Sequence, residues 1–322
     1  MMTIKTCINF TKKILPQPVK TAIHTVIWIV EEIAKVIACM IKDAAYFLGF
    51  RKHVELIILG GQKCGTSALA AYLNNHPSCS LLIGGKEPRY FSAYYPGEGT
   101  IERYLIKKMP LKKMWQCKKM FFFDATAGYI YLEDVPERIY KYNPDIKLIL
   151  LVRNPIDRAY SEYMMDYNYA QREYVFWEDP QGEYLSKLKD PAHYPFSWFI
   201  DEEIRKMENA GSISPSAFYY PDMLRKGLYS EQLERYYHYF KPEQILILED
   251  QELKNKRQET LARVEAFIGI PRYEWPESTL INVFEGKYFS AMPEDCRNRL
   301  RTFFTPWNEK FFKLINRRFE WS

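Results

Sequence analysis

The chain has 322 residues and a formal net charge of +5, and 47% of its residues are apolar and 16% aromatic. This length accommodates one α/β core with an appendage, and the apolar content is sufficient for a sizeable interior. The charge suits a protein that handles anions but is too small to indicate nucleic-acid binding. The six cysteines form no CxxC pair, which argues against a zinc site or a disulfide framework.

Residues 18–49 form an apolar stretch that is interrupted by charged residues. Glu31, Glu32 and Lys35 break the run of about 20 apolar residues that a membrane span requires. Because these charges fall near one face of a helix, the pattern predicts an amphipathic helical segment within residues 1–50. Such a helix can lie on a membrane surface or cover part of the globular domain, and both interpretations stay open.

The apolar run 54–59 predicts a buried strand, which is followed by the loop Gly60–Ser67 and by helix-forming residues. Glycines expose backbone N–H groups, and a helix start adds unpaired donors and partial positive charge. With the charge of Lys63, this order predicts an anion site, although an ordinary turn with a surface lysine is the alternative. The loop differs from the nucleoside-triphosphate motif, which requires a lysine directly before Thr66.

Residues 146–152 give the clearest signal for a buried strand, and Arg153 follows directly. Ligands of open α/β sheets gather beyond the carboxyl ends of strands, and arginine can hold a phosphate with two parallel hydrogen bonds. Ser161 is expected about two turns into the next helix. A structural ion pair between Arg153 and Asp157 is the alternative interpretation.

A third buried strand is predicted at Gln244–Glu249, followed by a helical stretch through Gly269. Strands that alternate with helices favour a parallel sheet. Two anion sites at two strand ends indicate a ligand with separated phosphates.

Together these segments resemble the PAPS-dependent sulfotransferases over roughly residues 54–322. Gly61–Ser67 is similar to the family loop that binds the 5′-phosphosulfate, and Arg153 to Ser161 to its 3′-phosphate element. The resemblance implies an α/β, three-layer P-loop-like fold with a central parallel sheet flanked by helices. It assigns residues 51–322 to one sulfotransferase domain.

Further motifs resemble the heparan sulfate sulfotransferase branch and its bacterial relatives. Lys86–Phe91 is similar to the Lys-Glu-Pro motif, in which the glutamate is the proposed base. The resemblance therefore implies Glu87 as the base, with Lys63 and Lys86 as the other catalytic residues. It implies that the donor is bound by Lys63, Cys64, Gly65, Thr66, Ser67, Arg153, Ser161, Tyr229, Lys287 and Tyr288.

Several features depart from the family pattern, among them Met165, near a position where some glycan enzymes have histidine, and the lack of a cysteine pair around Gly286–Tyr288. Arg89 stands where a histidine is frequent, and Ala125 lies where lysine is common within the family-like segment Asp124–Tyr129. These departures weaken an assignment of heparan sulfate as the acceptor and leave the assignment of the donor intact.

The resemblance implies transfer of a sulfuryl group from PAPS (3′-phosphoadenosine-5′-phosphosulfate) to a hydroxyl or amine of a carbohydrate or small molecule, with release of PAP. No metal and no nucleic-acid partner are expected. The cytoplasm is the expected compartment, with the Golgi as the alternative. Two other interpretations stay open: a P-loop nucleotide-dependent phosphotransferase, and a non-catalytic membrane-surface module with a sulfotransferase-like fold.

Overall fold

A computed structural model of the chain describes residues 16–49, 52–82, 85–92, 101–114, 120–172, 182–209, 222–276 and 290–321. The contacts of the chain divide it into two compact units, Met1–Lys52 and His53–Ser322. In chain order the helices are α1 Gln17–Phe47, α2 Thr66–Asn75, α3 Ile101–Lys108, α4 Leu111–Met114, α5 Val135–Tyr142, α6 Pro155–Ala170, α7 Glu183–Leu188, α8 Phe196–Asn209, α9 Tyr229–Tyr237, α10 Asp250–Asn255, α11 Arg257–Ile268 and α12 Glu294–Leu314.

Helix α1 makes up most of the described part of the first unit and lies within the stretch where the sequence predicts a helix. Its 31 residues span about 46 Å at 1.5 Å per residue. Large apolar side chains are exposed along its length, among them Val26, Ile33 and Ile37. Among the described helices, none combines the length and the hydropathy that crossing a bilayer requires.

The second unit is built on a five-stranded parallel sheet with the strand order β2-β3-β1-β4-β5. The strands are β1 Val54–Gly60, β2 Cys79–Leu81, β3 Phe121–Ala125, β4 Lys147–Val152 and β5 Ile245–Glu249. The predicted strands are confirmed as β1, β4 and β5, and the predicted α/β fold with a central parallel sheet flanked by helices is confirmed. Strands β2 and β3 were not predicted.

Local sequence explains how α6 begins directly after β4. Pro155 occupies the first helical position, where its fixed φ suits the helix and its missing N–H costs nothing. The side-chain oxygen of Asn154 accepts a hydrogen bond from Ile156 N at 3.0 Å and so caps the helix. Ser161 then lies about two turns along α6, as predicted.

Two apolar regions stand out among the described residues. In the sheet, the strand β4 is buried from Leu148 to Val152, as expected for a strand with helices on both faces. A second cluster packs helix α6 against α7, α8 and α12, and it includes Tyr163, Phe199 and Phe304. This cluster fixes α6, whose first residues follow the carboxyl end of β4.

A buried cluster of charged groups joins α6 to the segment before α9. The Glu162 carboxylate accepts hydrogen bonds from Arg158 Nη1 at 2.7 Å and from Lys226 Nζ at 2.5 Å. One turn further along, Asp166 accepts a hydrogen bond from Tyr184 OH at 2.9 Å. Burial, and then the neighbouring Glu162 charge, raise the pKa of Asp166 well above its ordinary value.

The raised pKa of Asp166 predicts how stability depends on pH. The unfolded chain releases this proton near pH 4 and the folded chain at a higher pH, so the free energy of unfolding falls as pH rises between the two values. We expect the Tm of the wild type to decrease from about pH 5 to about pH 8, and Asp166→Asn to make this decrease smaller.

Thermal unfolding at several pH values measures this effect, with the exposed Asp145→Asn as the control. Glu162, Asp222 and Lys226 also face this carboxyl and are left unchanged in both variants. An equal pH dependence of Tm in Asp166→Asn and the wild type would contradict the assignment.

Candidate active site

Three neighbouring strands end at the same edge of the sheet. Strand β1 pairs in parallel with β3 on one side and with β4 on the other. The segment after β3, the loop Gly61–Ser67 after β1 and Arg153 after β4 therefore lie side by side. This edge is where open α/β sheets bind ligands.

Two glycines shape the loop after β1. Gly60 has φ 140, and a Cβ atom there would lie 2.4 Å from the carbonyl oxygen of Ala127, so any side chain would collide with the backbone of the neighbouring segment. Gly65 adopts a left-handed conformation as the N-cap of α2. Within the described residues, no atom of the chain accepts from the backbone N–H groups of Thr66 and Ser67, which leaves donors for an anion at the helix start.

The structure brings the two predicted anion elements into contact. Arg153 Nη1 donates a hydrogen bond to the carbonyl oxygen of Lys63 at 3.3 Å. The Nε atom of Arg153 also lies 3.8 Å from Asp250 Oδ2. Asp157, the alternative partner proposed for Arg153, forms an ion pair with Arg297 at 3.1 Å instead.

The buried side chain of Tyr229 contacts both of the predicted anion elements. Its hydroxyl donates to the carbonyl oxygen of Arg153 at 3.0 Å and lies 3.5 Å from Cys64 Sγ. Both side chains are buried, and burial raises the pKa of the Cys64 thiol to about 11. The Tyr229 ring packs against Phe311 and Trp321. The side chains of Cys64 and Tyr229 thus support the loops rather than line their surface, and Ser161 is buried as well.

The Lys-Glu-Pro segment lies at the end of β3. Both carboxylate oxygens of Glu87 accept from Ala127 N, at 3.2 and 3.1 Å, and Lys86 Nζ lies 2.8 Å from Glu87 Oε1. The backbone N–H of Glu87 donates to Ala125 O at 3.0 Å. Since Ala127 borders Gly60, the carboxylate of Glu87 belongs to the same edge as the loop that carries Lys63.

Backbone strain is concentrated in these segments. Lys63, Glu87 and Arg89 have φ values of 67, 62 and 55, and they are three of the four non-glycine residues with positive φ in the described part of the chain. The left-handed region costs such a residue roughly 1–2 kcal/mol. Strain of this kind clusters at functional sites, where surrounding contacts hold it in place.

The described residues at this edge include Lys63, Lys86, Glu87 and Arg153, together with the supporting residues behind them. Lys287 and Tyr288 lie outside the described residues. In the part of the chain that is described, no group of three or more His, Cys, Asp or Glu side chains could hold a metal ion. The sequence analysis did not identify Asp124, a buried residue near the end of β3, as a candidate site residue. A carboxylate directly after three phenylalanines is the pattern that could have indicated it.

Comparison with known proteins identifies the family. The profile of the sulfotransferase domain matches residues 54–305. The chain belongs to the sulfotransferase domain family.

Curated relatives lie in the heparan sulfate branch. Heparan sulfate glucosamine 3-O-sulfotransferase 5 from Mus musculus is 28% identical over 286 residues, which cover 83% of this chain and 73% of the relative. Bifunctional heparan sulfate N-deacetylase/N-sulfotransferase 3 from Homo sapiens is 25% identical over 289 residues, which cover 82% of this chain and 30% of that protein. Membrane-associated sulfotransferase kil1 from Dictyostelium discoideum is 27% identical, with coverage of 83% and 66%.

A solved structure supports the fold. The crystal structure of a sulfotransferase from Alicyclobacillus acidocaldarius superimposes with a TM-score of 0.56 at 23% identity, covering 83% of this chain and 98% of the other. The family match and the curated relatives show that the chain is an enzyme that transfers a sulfuryl group from PAPS and releases PAP. The phosphotransferase and the non-catalytic binding module are not favoured, and the predicted relation to the heparan sulfate branch is confirmed.

The contacts of Tyr229 predict an effect on donor binding. Tyr229→Phe keeps the ring packing but removes the hydroxyl that links Arg153 to Cys64. We expect PAP affinity to fall by about 0.5–1.5 kcal/mol, the net value of one hydrogen bond. Calorimetric titration with PAP measures the change.

Tyr142→Phe is the matched control, because its buried hydroxyl accepts a hydrogen bond from Val54 N at the opposite end of β1. This control should leave PAP affinity unchanged. Equal PAP affinities for Tyr229→Phe and the wild type would show that the hydroxyl does not support the donor loops.

Proposed function

We propose that the protein sulfates a hydroxyl group of a carbohydrate acceptor, with Glu87 as the base. The observation that carries the proposal is the position of the Glu87 carboxylate, held by Ala127 N at the sheet edge that also bears Lys63. The names of the relatives support a glycan acceptor, since they act on heparan sulfate and one of them sulfates a glucosamine hydroxyl.

The donor is proposed to lie across the two anion elements. Its 5′-phosphosulfate would contact Lys63 and the N–H groups at the start of α2, through the loop residues Gly65, Thr66 and Ser67. Arg153 and Ser161 would hold the 3′-phosphate, and Lys287 and Tyr288 would close over the nucleotide. The contact between Arg153 and Lys63 supports this arrangement because both elements can then engage one small ligand.

The proposed reaction is an in-line displacement at sulfur. The acceptor oxygen bonds to sulfur while the bond from sulfur to the 5′-phosphate oxygen breaks, and PAP leaves with that oxygen. Lys63 stabilises the negative charge on the leaving oxygen, and Lys86 contacts the sulfuryl oxygens. Glu87 accepts the proton that the acceptor hydroxyl loses.

Glu87→Gln tests the assignment of the base. The amide oxygen of glutamine can still accept from Ala127 N, so the loop should keep its conformation. We expect turnover to fall by about 10²- to 10⁴-fold, the contribution of a positioned acid or base, with PAP affinity unchanged. Transfer from labelled PAPS and titration with PAP measure the two quantities.

The control is Glu133→Gln, which changes an exposed residue in the segment after β3. This variant should retain full turnover. The acceptors should be glucosamine oligosaccharides that carry either a free or an acetylated amine. Sulfate on oxygen in both acceptors supports the proposal. Wild-type turnover in Glu87→Gln, or sulfate found only on the free amine, would contradict it.

We also propose that α1 lies on a lipid bilayer surface. At 100° per residue its exposed large apolar side chains, apart from Trp28, fall within about 140° of the helix circumference. All charged side chains of α1 lie outside this arc. The apolar stripe by which a helix pairs with one partner helix is narrower than this arc. A relative from Dictyostelium discoideum is also named as membrane-associated. The cytoplasmic location stays a prediction from the sequence.

Sedimentation with phosphatidylcholine vesicles tests the bilayer proposal. The wild type should sediment with the vesicles, and Ile33→Asp/Ile37→Asp should remain in the supernatant because it places charge in the apolar arc. Thr25→Asp/Cys39→Asp adds the same charge outside the arc and should still sediment. A wild type that stays in the supernatant, or that forms dimers lost in Ile33→Asp/Ile37→Asp, would contradict the proposal.

A further inference from the structure

The loop that carries Glu87 is attached to the end of β3 through alternate backbone N–H groups. The first is the Glu87 N–H, which donates to the carbonyl oxygen of Ala125 at 3.0 Å. The other two donate to hydroxyl groups: Arg89 N to Thr126 Oγ1 at 3.3 Å, and Phe91 N to Tyr129 OH at 3.0 Å. The conformation of the loop therefore depends on where these two hydroxyl oxygens point.

One buried carboxylate orients both hydroxyls. Thr126 Oγ1 donates to Asp124 Oδ1 at 2.8 Å, and Tyr129 OH donates to Asp124 Oδ2 at 2.9 Å. A hydroxyl has a single hydrogen, so donating it to Asp124 leaves the oxygen lone pairs free to accept from the loop. Asp124 has no solvent exposure, and so it has no role in direct contact with a dissolved substrate.

Burial of this carboxylate needs a compensating function. Transferring a carboxylate into the interior is costly unless hydrogen bonds satisfy it, and here burial raises the pKa of Asp124 to about 7. The hydrogen bonds from Thr126 and Tyr129 oppose that rise, and the nearby Glu87 charge adds to it. Glu87 and Arg89 have positive φ values, and a strained loop persists only where contacts hold it. The strained conformation of this loop is thus what the buried Asp124 carboxylate stabilises.

We infer that Asp124 is a positioning residue that, through Thr126 and Tyr129, holds the strained loop so that Glu87 faces the donor site. The inference rests on the proposed function, because Asp124 acts through Glu87. Asp124 itself touches neither donor nor acceptor. The two hydrogen bonds from the loop, Arg89 N to Thr126 Oγ1 and Phe91 N to Tyr129 OH, are its side-chain tethers. Since both tethers end on the loop of Glu87, losing one should lower turnover and leave the binding of PAP unchanged.

Thr126→Val and Thr126→Ser form the central experiment. Valine has the shape of threonine without the hydroxyl, so it removes one tether, whereas serine retains the hydroxyl. We expect Thr126→Val to lower kcat by about 10- to 100-fold, as for a misplaced catalytic group, with unchanged PAP affinity. Thr126→Ser should retain most of the wild-type kcat. Transfer from labelled PAPS measures kcat, and titration with PAP measures PAP affinity.

Thr260→Val is the matched control for loss of stability alone. Thr260 is also buried, and its hydroxyl donates to Glu252 O and Lys256 O, away from the loop of Glu87. This control should lower Tm while keeping kcat. Wild-type kcat in Thr126→Val, or an equal loss of kcat in Thr126→Ser, would overturn the inference.

Tyr129→Phe removes only the second tether, the hydroxyl that accepts from Phe91 N. It replaces Thr126→Val as the test if Thr126→Val does not fold. It should likewise lower kcat with PAP affinity unchanged, and wild-type kcat in this variant would also overturn the inference.

Glu87→Gln separates failure of the inference from failure of the proposed function. Adding Thr126→Val to Glu87→Gln should cause no further loss of turnover, because the two residues act as a unit. If Glu87→Gln is inactive and Thr126→Val is fully active, the positioning role of Asp124 is wrong and the base remains Glu87. If Glu87→Gln is fully active, the proposed function is wrong and the inference fails with it.

Discussion

Strand β1 hydrogen-bonds to β3 on one side and to β4 on the other, and all three run in the same direction. Parallel strands end at the same edge, so this pairing alone places three chain segments within reach of one ligand. The close approach is fixed at Gly60, where no side chain fits against Ala127 O. On the other side Gly61 N donates to Leu151 O at 2.5 Å. Every polar group of the site depends on these backbone contacts.

The two sides of the site are held in different ways. On the donor side the buried hydroxyl of Tyr229 joins Arg153 and Cys64, with aromatic rings packed behind it. On the proposed acceptor side, backbone N–H groups of the loop of Glu87 donate to hydroxyls that Asp124 orients. Apolar packing supports the first arrangement, whereas the second relies on a buried charge and its hydrogen bonds. The loop of Glu87 thus depends more on buried polar groups than the loops behind which Tyr229 lies.

The sequence predicts the strands that flank the loop of Lys63 and Arg153 because their signals are local. Continuous apolar runs predict β1, β4 and β5, and the glycines and Pro155 mark the loop and the helix that follow them. Strand β2 has three residues, too few for a periodic pattern, and the apolar run of β3 is interrupted by the polar Asp124. The buried contacts of Tyr229 and Asp124 could not be predicted. Each depends on partners that are distant in sequence or on burial, which only the folded chain establishes.

Two of the departures from the family pattern, Arg89 and Ala125, acquire a physical meaning from these contacts. Both take part in holding the loop of Glu87 through backbone atoms, Arg89 as an N–H donor and Ala125 as a carbonyl acceptor. These two hydrogen bonds therefore use no side-chain atom of Arg89 or Ala125. Thr126 differs, because its side-chain hydroxyl itself forms the tether. The hydrogen bonds that hold the loop of Glu87 thus depend on the side chains of Thr126 and Tyr129 and not on those at these two departures from the family pattern.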